Sequence, residues 1–348
     1  MATVNAIVID SVNAAPRRDV ITRRELRADD ILIDITHSGI CHSDIHQAHD
    51  DWGTSIFPMV PGHEIVGTVA AIGPSVQRFA VGDRVGVGNL VDSCGTCENC
   101  LAGEEPFCLK GNVHTYNAIG YDGEPTYGGY STRIVVKESF VLRIPEALSS
   151  AEAAPLLCCG ITTYAPLRRW GAGPGRRVAV VGMGGLGHMA VKLAHAFGAE
   201  VTVLSRRLDK RDDAIAFGAD NMLATADPAT FPALANTFDL IINTVSADIS
   251  LEDYLPLLRL DGVLVTLGIG LPPTALLGPL LLRGRKVITG SLTGGLPQTQ
   301  EMLDFCGENG IGAEVEIIGV DEVESAWKRV VAGDVRYRFV LDMSTMTD

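Results

Sequence analysis

Four cysteines fall close together at Cys94, Cys97, Cys100 and Cys108, flanked by Gly95, Gly103 and Pro106. Four thiolates at this spacing suit a closed tetrahedral zinc site, which cross-links a loop having little core of its own. Iron–sulfur clusters use related spacings, so spacing leaves that alternative open. With four protein ligands no position is left for a substrate, and the site reads as structural. A catalytic zinc needs about three protein ligands and an open position. Its candidates are scattered: Cys41 in Gly39-Ile40-Cys41-His42-Ser43-Asp44-Ile45-His46, the pair His63-Glu64, and Cys158 beside Cys159. Each alone reads equally as packing, since a lone cysteine is commonly a small buried hydrophobe. His63-Glu64 is not the metalloprotease pair, because Gly67 stands where the second histidine would be.

A second kind of chemistry is written at Gly182-Met183-Gly184-Gly185-Leu186-Gly187, between a strand predicted over 177–181 and a helix predicted over 187–197. Glycines there permit a tight turn, close approach of backbone to a pyrophosphate, and tight helix–strand packing; the helix start offers free N–H groups to phosphate. Glycine-rich turns also arise for structural reasons alone, so the strand–turn–helix setting is what favours a dinucleotide. The end of the next strand, 200–204, discriminates between cofactors. NAD sites carry an acidic residue there for the ribose hydroxyls. This chain has Ser205-Arg206-Arg207-Leu208-Asp209-Lys210 instead. A hydroxyl, two guanidinium groups and an ammonium would attract a 2′-phosphate, so NADP(H) is expected. The bland alternative, a solvated basic helix start, runs against the helix dipole.

These residues need two kinds of scaffold. Residues 1–150 carry short β-type runs at 5–9, 31–36, 65–72, 83–87 and 131–136, broken by glycine and proline, which predicts a mostly-β domain. From about residue 150 the texture changes to a helix over 152–169, a Gly/Pro breaker at 171–175, strands at 177–181, 200–204, 240–243 and 263–267, and helices at 187–197 and 211–217. Alternating strands and helices predict a parallel sheet covered on both faces, over 151–289. The tail, 290–348, reads as helix 296–309, strand 313–318, helix 323–332 and strand 337–342, and is expected to complete the first domain. At 348 residues, two domains are the natural division. A formal net charge of −14 repels phosphate backbones and anionic lipid, which argues against nucleic-acid and membrane partners. The most apolar stretch, 271–282, contains three prolines and is too short to span a bilayer. With no signal segment at the start, a cytoplasmic location is expected. Eight cysteines clustered in this way then read as metal ligation or catalysis rather than a disulfide framework.

The order of several segments carries a resemblance. They are Gly39-Ile40-Cys41-His42-Ser43-Asp44, Pro61-Gly62-His63-Glu64-Ile65-Val66-Gly67, the four-cysteine loop, Tyr127-Gly128-Gly129-Tyr130, Leu156-Leu157-Cys158, Ile161-Thr162-Thr163-Tyr164, the glycine motif, and Asp334-Val335-Arg336-Tyr337-Arg338-Phe339. Together they resemble the zinc-containing medium-chain dehydrogenase/reductase superfamily, within it the cinnamyl-alcohol-dehydrogenase-type aldehyde reductases. The resemblance implies an α/β chain: a mostly-β GroES-like catalytic domain plus a Rossmann doubly wound parallel-sheet domain. It implies two zinc ions per chain, a structural one on the four-cysteine loop and a catalytic one on Cys41, His63 and Cys158. Glu64 would be a fourth ligand or stand beside the metal. Cys158 takes the ligand role because the family's cysteine directly follows the Leu-Leu pair; Cys159 and Cys306 read as structural.

By the same resemblance Ser43 lies near the metal and the nicotinamide ribose, while Thr162, Thr244, Gly268 and Ser291-Leu292-Thr293 line the cofactor cleft. The family's phosphate strip is Ser-x-Ser-x-x-Lys; this chain keeps Ser205 and Lys210 but has Arg207 in the middle. Trp52, Phe57 and Leu90 read as walls of an apolar pocket, or equally as ordinary packing. The implied activity is interconversion of aldehydes and primary alcohols, aromatic or medium-chain, favouring aldehyde reduction. In it zinc polarises the carbonyl and Ser43 passes a proton, through the cofactor ribose, to His46. Otherwise Ser43 would be a helix-start cap and His46 a surface residue. A polyol or sugar dehydrogenase, or a non-catalytic relative, are the alternatives, and a homodimer or homotetramer through the nucleotide-binding domain is expected.

Overall fold

The computed structural model describes residues 2–247, 249–268 and 278–346. The chain forms two compact units, Met1–Cys158 with Gly294–Asp348, and Cys159–Thr293.

In the first unit, a seven-stranded sheet among the described residues runs Val315–Gly319, Arg338–Asp342, Asp30–Gly39, Ile65–Ile72, Arg84–Val87, Leu142–Arg143, with Arg133–Lys137 also paired to Asp30–Gly39. Alternation along Asp30–Gly39 explains its place: Ile31, Ile33 and Ile35 are buried in the core, with half-buried Leu32 and Asp34 between them. Its pairing with Ile65–Ile72 is antiparallel, Ile31 opposite Ile72 and Ser38 opposite Ile65. The end of one strand therefore lies beside the start of the other, and the Gly39 N–H donates to Glu64 O at 2.9 Å. Gly39 must be a glycine: a Cβ there would stand 1.9 Å from the Glu64 carboxylate. Arg338–Asp342 joins the same end, Val340 opposite Gly39. Three segments distant in sequence thus meet at one corner of the sheet.

The helix expected over 152–169 is broken. Ser150–Ala153 is α-helical, Ala154–Leu157 is a 3₁₀ turn, Cys158 leaves helical geometry at φ −126° and ψ −73°, and Cys159–Arg169 resumes the helix. Pro155, at the start of the 3₁₀ turn, has no N–H to continue the α-helical ladder. The break leaves Cys158 in one compact unit and Cys159 in the other.

In the second unit the sheet is parallel throughout, in the order Asn221–Ala224, Glu200–Ser205, Arg177–Val181, Phe238–Asn243, Leu258–Thr266, Val287–Gly290. That is the doubly wound order in which the chain reverses direction beside the first strand, the place where dinucleotides bind. Its outer strands Asn221–Ala224 and Val287–Gly290 were not expected from the sequence. Part of the apolar stretch, 271–277, lies outside the described residues. Among the described residues no helix is long and apolar enough to cross a membrane.

Candidate active site and metal centres

At the corner of the first sheet, ligand atoms of Cys41, His63, Glu64 and Cys158 all lie within 4.8 Å of one another. The Cys41 and Cys158 sulfurs are 3.9 Å apart. A tetrahedron with zinc–sulfur distances of about 2.3 Å has edges of about 3.8 Å, so the sulfurs already stand at ligand spacing. His63 Nε2 and Glu64 Oε2 are buried without a hydrogen-bond partner. Two orphaned polar atoms beside two thiols would be costly unless something binds them. This donor set fits a zinc ion.

The four side chains share protons unusually. The Cys158 thiol, hydrogen-bonded to Cys41, holds the Cys41 thiol well below its ordinary range, and the same bond raises Cys158 well above it. Burial opposes charge on His63, yet the Cys41 thiolate and the Asp44 carboxylate hold its pKa well above the usual histidine value. Burial pushes Glu64 up to about 7 against the pull of Arg338. Arg338 donates to Glu64 Oε1 and, at 2.8 Å, to Ile40 O.

Asp44, fully buried, ties the corner together. It accepts the Cys41 N–H at 2.8 Å, the Gly62 N–H at 3.2 Å and the Tyr130 hydroxyl at 3.0 Å, and lies 3.5 Å from His63 Nδ1. One carboxylate therefore fixes the backbone beside two candidate ligands and orients the ring of the second.

Ser43 and His46 sit on the short helix His42–Ala48, three residues apart and so on one face. Ser43 is not the helix cap; Cys41 is, and Ser43 Oγ lies 3.6 Å from Cys41 Sγ. His46 Nδ1 meets Asp51 Oδ2 at 2.6 Å, and its ring lies between His42 at 4.8 Å and Trp52 at 5.2 Å. Leu90 belongs to the buried core of this unit and Phe57 packs against that core, while Trp52 lies on His46.

The four-cysteine loop is compact around its sulfurs. All four lie within 4.8 Å of one another, with Cys94 to Cys100 at 3.9 Å and Cys97 to Cys100 at 3.5 Å. Backbone N–H groups of Cys94, Cys97 and Leu109 donate to sulfurs of Cys108, Cys94 and Cys97 at 3.3–3.4 Å. The Thr96 N–H leads a set of hydrogen bonds that hold the Cys94 thiol down to about 5, whereas burial pushes Cys100 up to about 11. Gly95 and Gly103, at φ +64° and +75°, make the turns that fold the loop on itself. This set too fits a tetrahedral metal, with no position left over.

In the second unit the glycine motif forms the turn between Arg177–Val181 and the helix Gly185–Ala196. Gly182 takes φ +92°, and a Cβ on Gly187 would stand 2.2 Å from Gly182 O, so both must be glycine. A Cβ on Gly184, which caps the helix, would meet no atom of the described residues within 4 Å. Leu186 lies in the helix's first turn. Thr244 Oγ1 donates to Val181 O at 2.7 Å, and Gly268 packs too tightly on Val245 O for any side chain. Ser205 ends its strand half-buried, with Arg206 and Arg207 exposed beyond it. Lys210 reaches back to donate to Met183 O at 3.2 Å, linking the basic strip to the glycine turn. Thr162, Ser291 and Thr293 are half-buried and Leu292 exposed. An open helix start with basic groups nearby fits a phosphorylated dinucleotide.

Residues 27–146 match the family described as the alcohol dehydrogenase GroES-like domain, and residues 185–308 the family described as zinc-binding dehydrogenase. The chain belongs to the zinc-containing medium-chain dehydrogenase/reductase superfamily. This dehydrogenase is 57% identical over 338 residues to the probable formaldehyde dehydrogenase AdhA of Bacillus subtilis, covering 97% of each chain. It is 54% identical to the NADP-dependent alcohol dehydrogenase C 1 of Mycolicibacterium smegmatis, covering 99% of each. Among solved structures it is similar to a cinnamyl alcohol dehydrogenase (SbCAD4) from Sorghum bicolor, 41% identical with a TM-score of 0.97 over the whole of both chains. The dehydrogenase is a zinc-dependent alcohol/aldehyde oxidoreductase.

Sequence reasoning did not single out three residues of the dehydrogenase's metal corner. Asp44 carried a local signal: a carboxylate three residues after Cys41, at capping-box spacing. Arg338 lay inside a recognised segment without a role. Tyr130 likewise lay inside a recognised segment without a role, since its partner is 86 residues away.

Proposed function

We propose that this dehydrogenase interconverts aldehydes and primary alcohols, aromatic or medium-chain, with NADP(H), running chiefly toward the alcohol. We propose also that it holds two zinc ions. The observation that carries the catalytic reading is the pair of buried, unpartnered atoms His63 Nε2 and Glu64 Oε2 beside the Cys41 and Cys158 sulfurs. Cys41, His63 and Cys158 would hold the catalytic zinc, Glu64 ligating or standing beside it, and Cys94, Cys97, Cys100 and Cys108 the structural one. When bound, the zinc supplies a Lewis acid for the carbonyl oxygen and the nicotinamide supplies the hydride.

The chain's own residues do the rest. Asp44 fixes the backbone at Cys41 and orients His63, and Arg338 holds one carboxylate oxygen of Glu64. Ser43 holds the proton at the reacting oxygen. His46, one turn on, moves it to solvent, with Asp51 fixing its Nδ1 so that Nε2 is the accepting atom. Residues 182–187 cradle the diphosphate; Ser205, Arg206, Arg207 and Lys210 take the 2′-phosphate. Thr162, Thr244, Gly268, Ser291, Leu292 and Thr293 line the remaining cofactor surface. Among the described residues the edge strand Val287–Gly290 has no strand paired on its outer side, which supports a homodimer built on this unit. All eight cysteines lack disulfides, which suits a reducing cytoplasmic setting.

A panel of aromatic, medium-chain and one-carbon aldehydes assayed with NADPH and NADH tests this function. A charge-assisted hydrogen bond contributes about 1.5–3 kcal/mol, so NADPH should win by about ten- to a hundredfold in kcat/KM. A preference for NADH would overturn the phosphate assignment, and no turnover of any aldehyde the activity. Asp44→Asn should weaken binding of the catalytic zinc about 10–100-fold, measured by chelator competition, while the structural zinc stays put. Equal release of both zincs would remove Asp44 from this role.

A further inference from the structure

Arg23 ends the strand Arg17–Arg23, and this charged residue is only 7% exposed. Its Nε donates to Arg133 O at 2.9 Å, one Nη to Tyr127 O, and the other to Gly128 O at 2.8 Å and Ser131 Oγ at 2.7 Å. All four acceptors are uncharged and belong to one short segment, 127–133. Desolvating a guanidinium is costly, and dipoles offset the cost only when the rigid fork is matched at several points. Here it is matched on all three nitrogens.

The segment gripped in this way is bonded on its other side to the chain that leads into His63. Gly128 N–H donates to Val60 O at 2.7 Å, Gly129 N–H to Gly62 O at 2.8 Å, and Tyr130 N–H to Pro61 O at 3.0 Å. The fit has no slack: a Cβ on Gly128 would stand 2.3 Å from Gly62 O, and one on Gly129 would stand 2.7 Å from Ser38 Oγ. Tyr130 then reaches Asp44 through its hydroxyl. Residues 127–131 are a strap laid across 60–62, and Arg23 is its clasp.

We propose that Arg23 is a positioning residue for the catalytic metal site, holding His63 and Asp44 in register through this strap. The inference rests on the reading of Cys41, His63, Glu64 and Cys158 as a zinc site. A merely structural arginine would lower stability without distinguishing the two zincs; a clasp loosens one of them.

The test uses the loaded enzyme with its four-cysteine zinc as internal control. Zinc release to a chelator is followed for each site, and the catalytic metal is replaced by cobalt to record its visible ligand-field bands. Arg23→Met should release the catalytic zinc with affinity about 10–100-fold lower, keep the structural zinc at wild-type affinity, and shift the cobalt bands. Arg23→Lys, retaining charge but lacking the fork, should behave like Arg23→Met. Ser131→Ala removes one acceptor and should give a smaller loss at the same zinc. Wild-type affinity at both sites with an unchanged cobalt spectrum in Arg23→Met overturns the proposal, whatever the change in Tm. If Arg23→Met does not fold, Ser131→Ala decides: selective loosening supports the clasp, and unchanged binding at both sites overturns it. A wild-type enzyme holding fewer than two zincs would overturn the metal reading, and this inference with it.

Discussion

A Cys158→Ala enzyme should hold one zinc per chain instead of the two proposed and lose at least about a thousandfold in kcat/KM for aldehyde reduction. A Lewis acid at the carbonyl oxygen contributes several kcal/mol to the transition state, and each 1.36 kcal/mol is about tenfold in rate. The adjacent thiol cannot take over. Cys158 sits at the break between the 3₁₀ turn Ala154–Leu157 and the helix Cys159–Arg169, at φ −126°, with its sulfur 3.9 Å from that of Cys41. Cys159 is fully buried, inside the next helix, where its carbonyl accepts from Thr163 Oγ1 at 2.7 Å. Rotating the backbone to exchange the two thiols would unwind that first turn. Cys159→Ala should therefore leave zinc content and kcat/KM within about twofold of wild type, costing only packing of order 1 kcal/mol. Metal analysis and steady-state kinetics of the two variants decide the register. Loss of activity in Cys159→Ala with retention in Cys158→Ala would reverse the ligand assignment.

What could be read in the sequence followed how local each cause was. The helices Leu296–Asn309 and Val323–Ala332 coincide with the expected spans because their ends are set within a few residues: proline near the first start, and Gly310 and Gly333 at φ +64° and +71° as left-handed C-caps. The four-cysteine loop was legible for the same reason, all its ligands lying on one stretch. The outer strands Asn221–Ala224 and Val287–Gly290 were not, since four residues carry too little periodicity and their pairing is supplied by neighbours. The break at Cys158 overrides a helix-compatible pattern at Pro155. The catalytic corner was least legible. Cys41, His63 and Cys158 become neighbours only through sheet register, and the bonds of Asp44 to Gly62 and Tyr130 span 18 and 86 residues. Family resemblance assembled the candidate ligands; the groups that orient them came from the structure.

The second large effect concerns the four-cysteine lobe, where metal should substitute for a core. Its helix Glu98–Leu101 buries none of its residues, and Leu101, Leu109 and Phe107 are 75%, 64% and 49% exposed. Very little apolar burial is available to offset the ordering of this loop. Structural zinc contributes about 10–16 kcal/mol of apparent binding free energy in small domains that fold only with metal, and here it would be the lobe's principal cross-link. The lobe is also anchored to the rest of its unit. Glu105 accepts the Leu296 N–H at 2.9 Å at the start of the helix Leu296–Asn309, and Gly295 packs so closely on Gly103 O that a Cβ would stand 1.7 Å from it. Loss of the metal should therefore loosen the helix start as well as the loop. Cys100→Ser should lower zinc content by one per chain, spare the catalytic zinc, and open the loop to proteolysis within 94–111. If about 5 kcal/mol of the metal's contribution reaches global stability, Tm falls by about 10 °C at roughly 2 °C per kcal/mol. Limited proteolysis mapped by mass spectrometry, with a thermal melt, checks both effects. A variant that keeps two zincs, or loses one yet melts and resists protease like the wild type, would show that the loop holds itself together without metal.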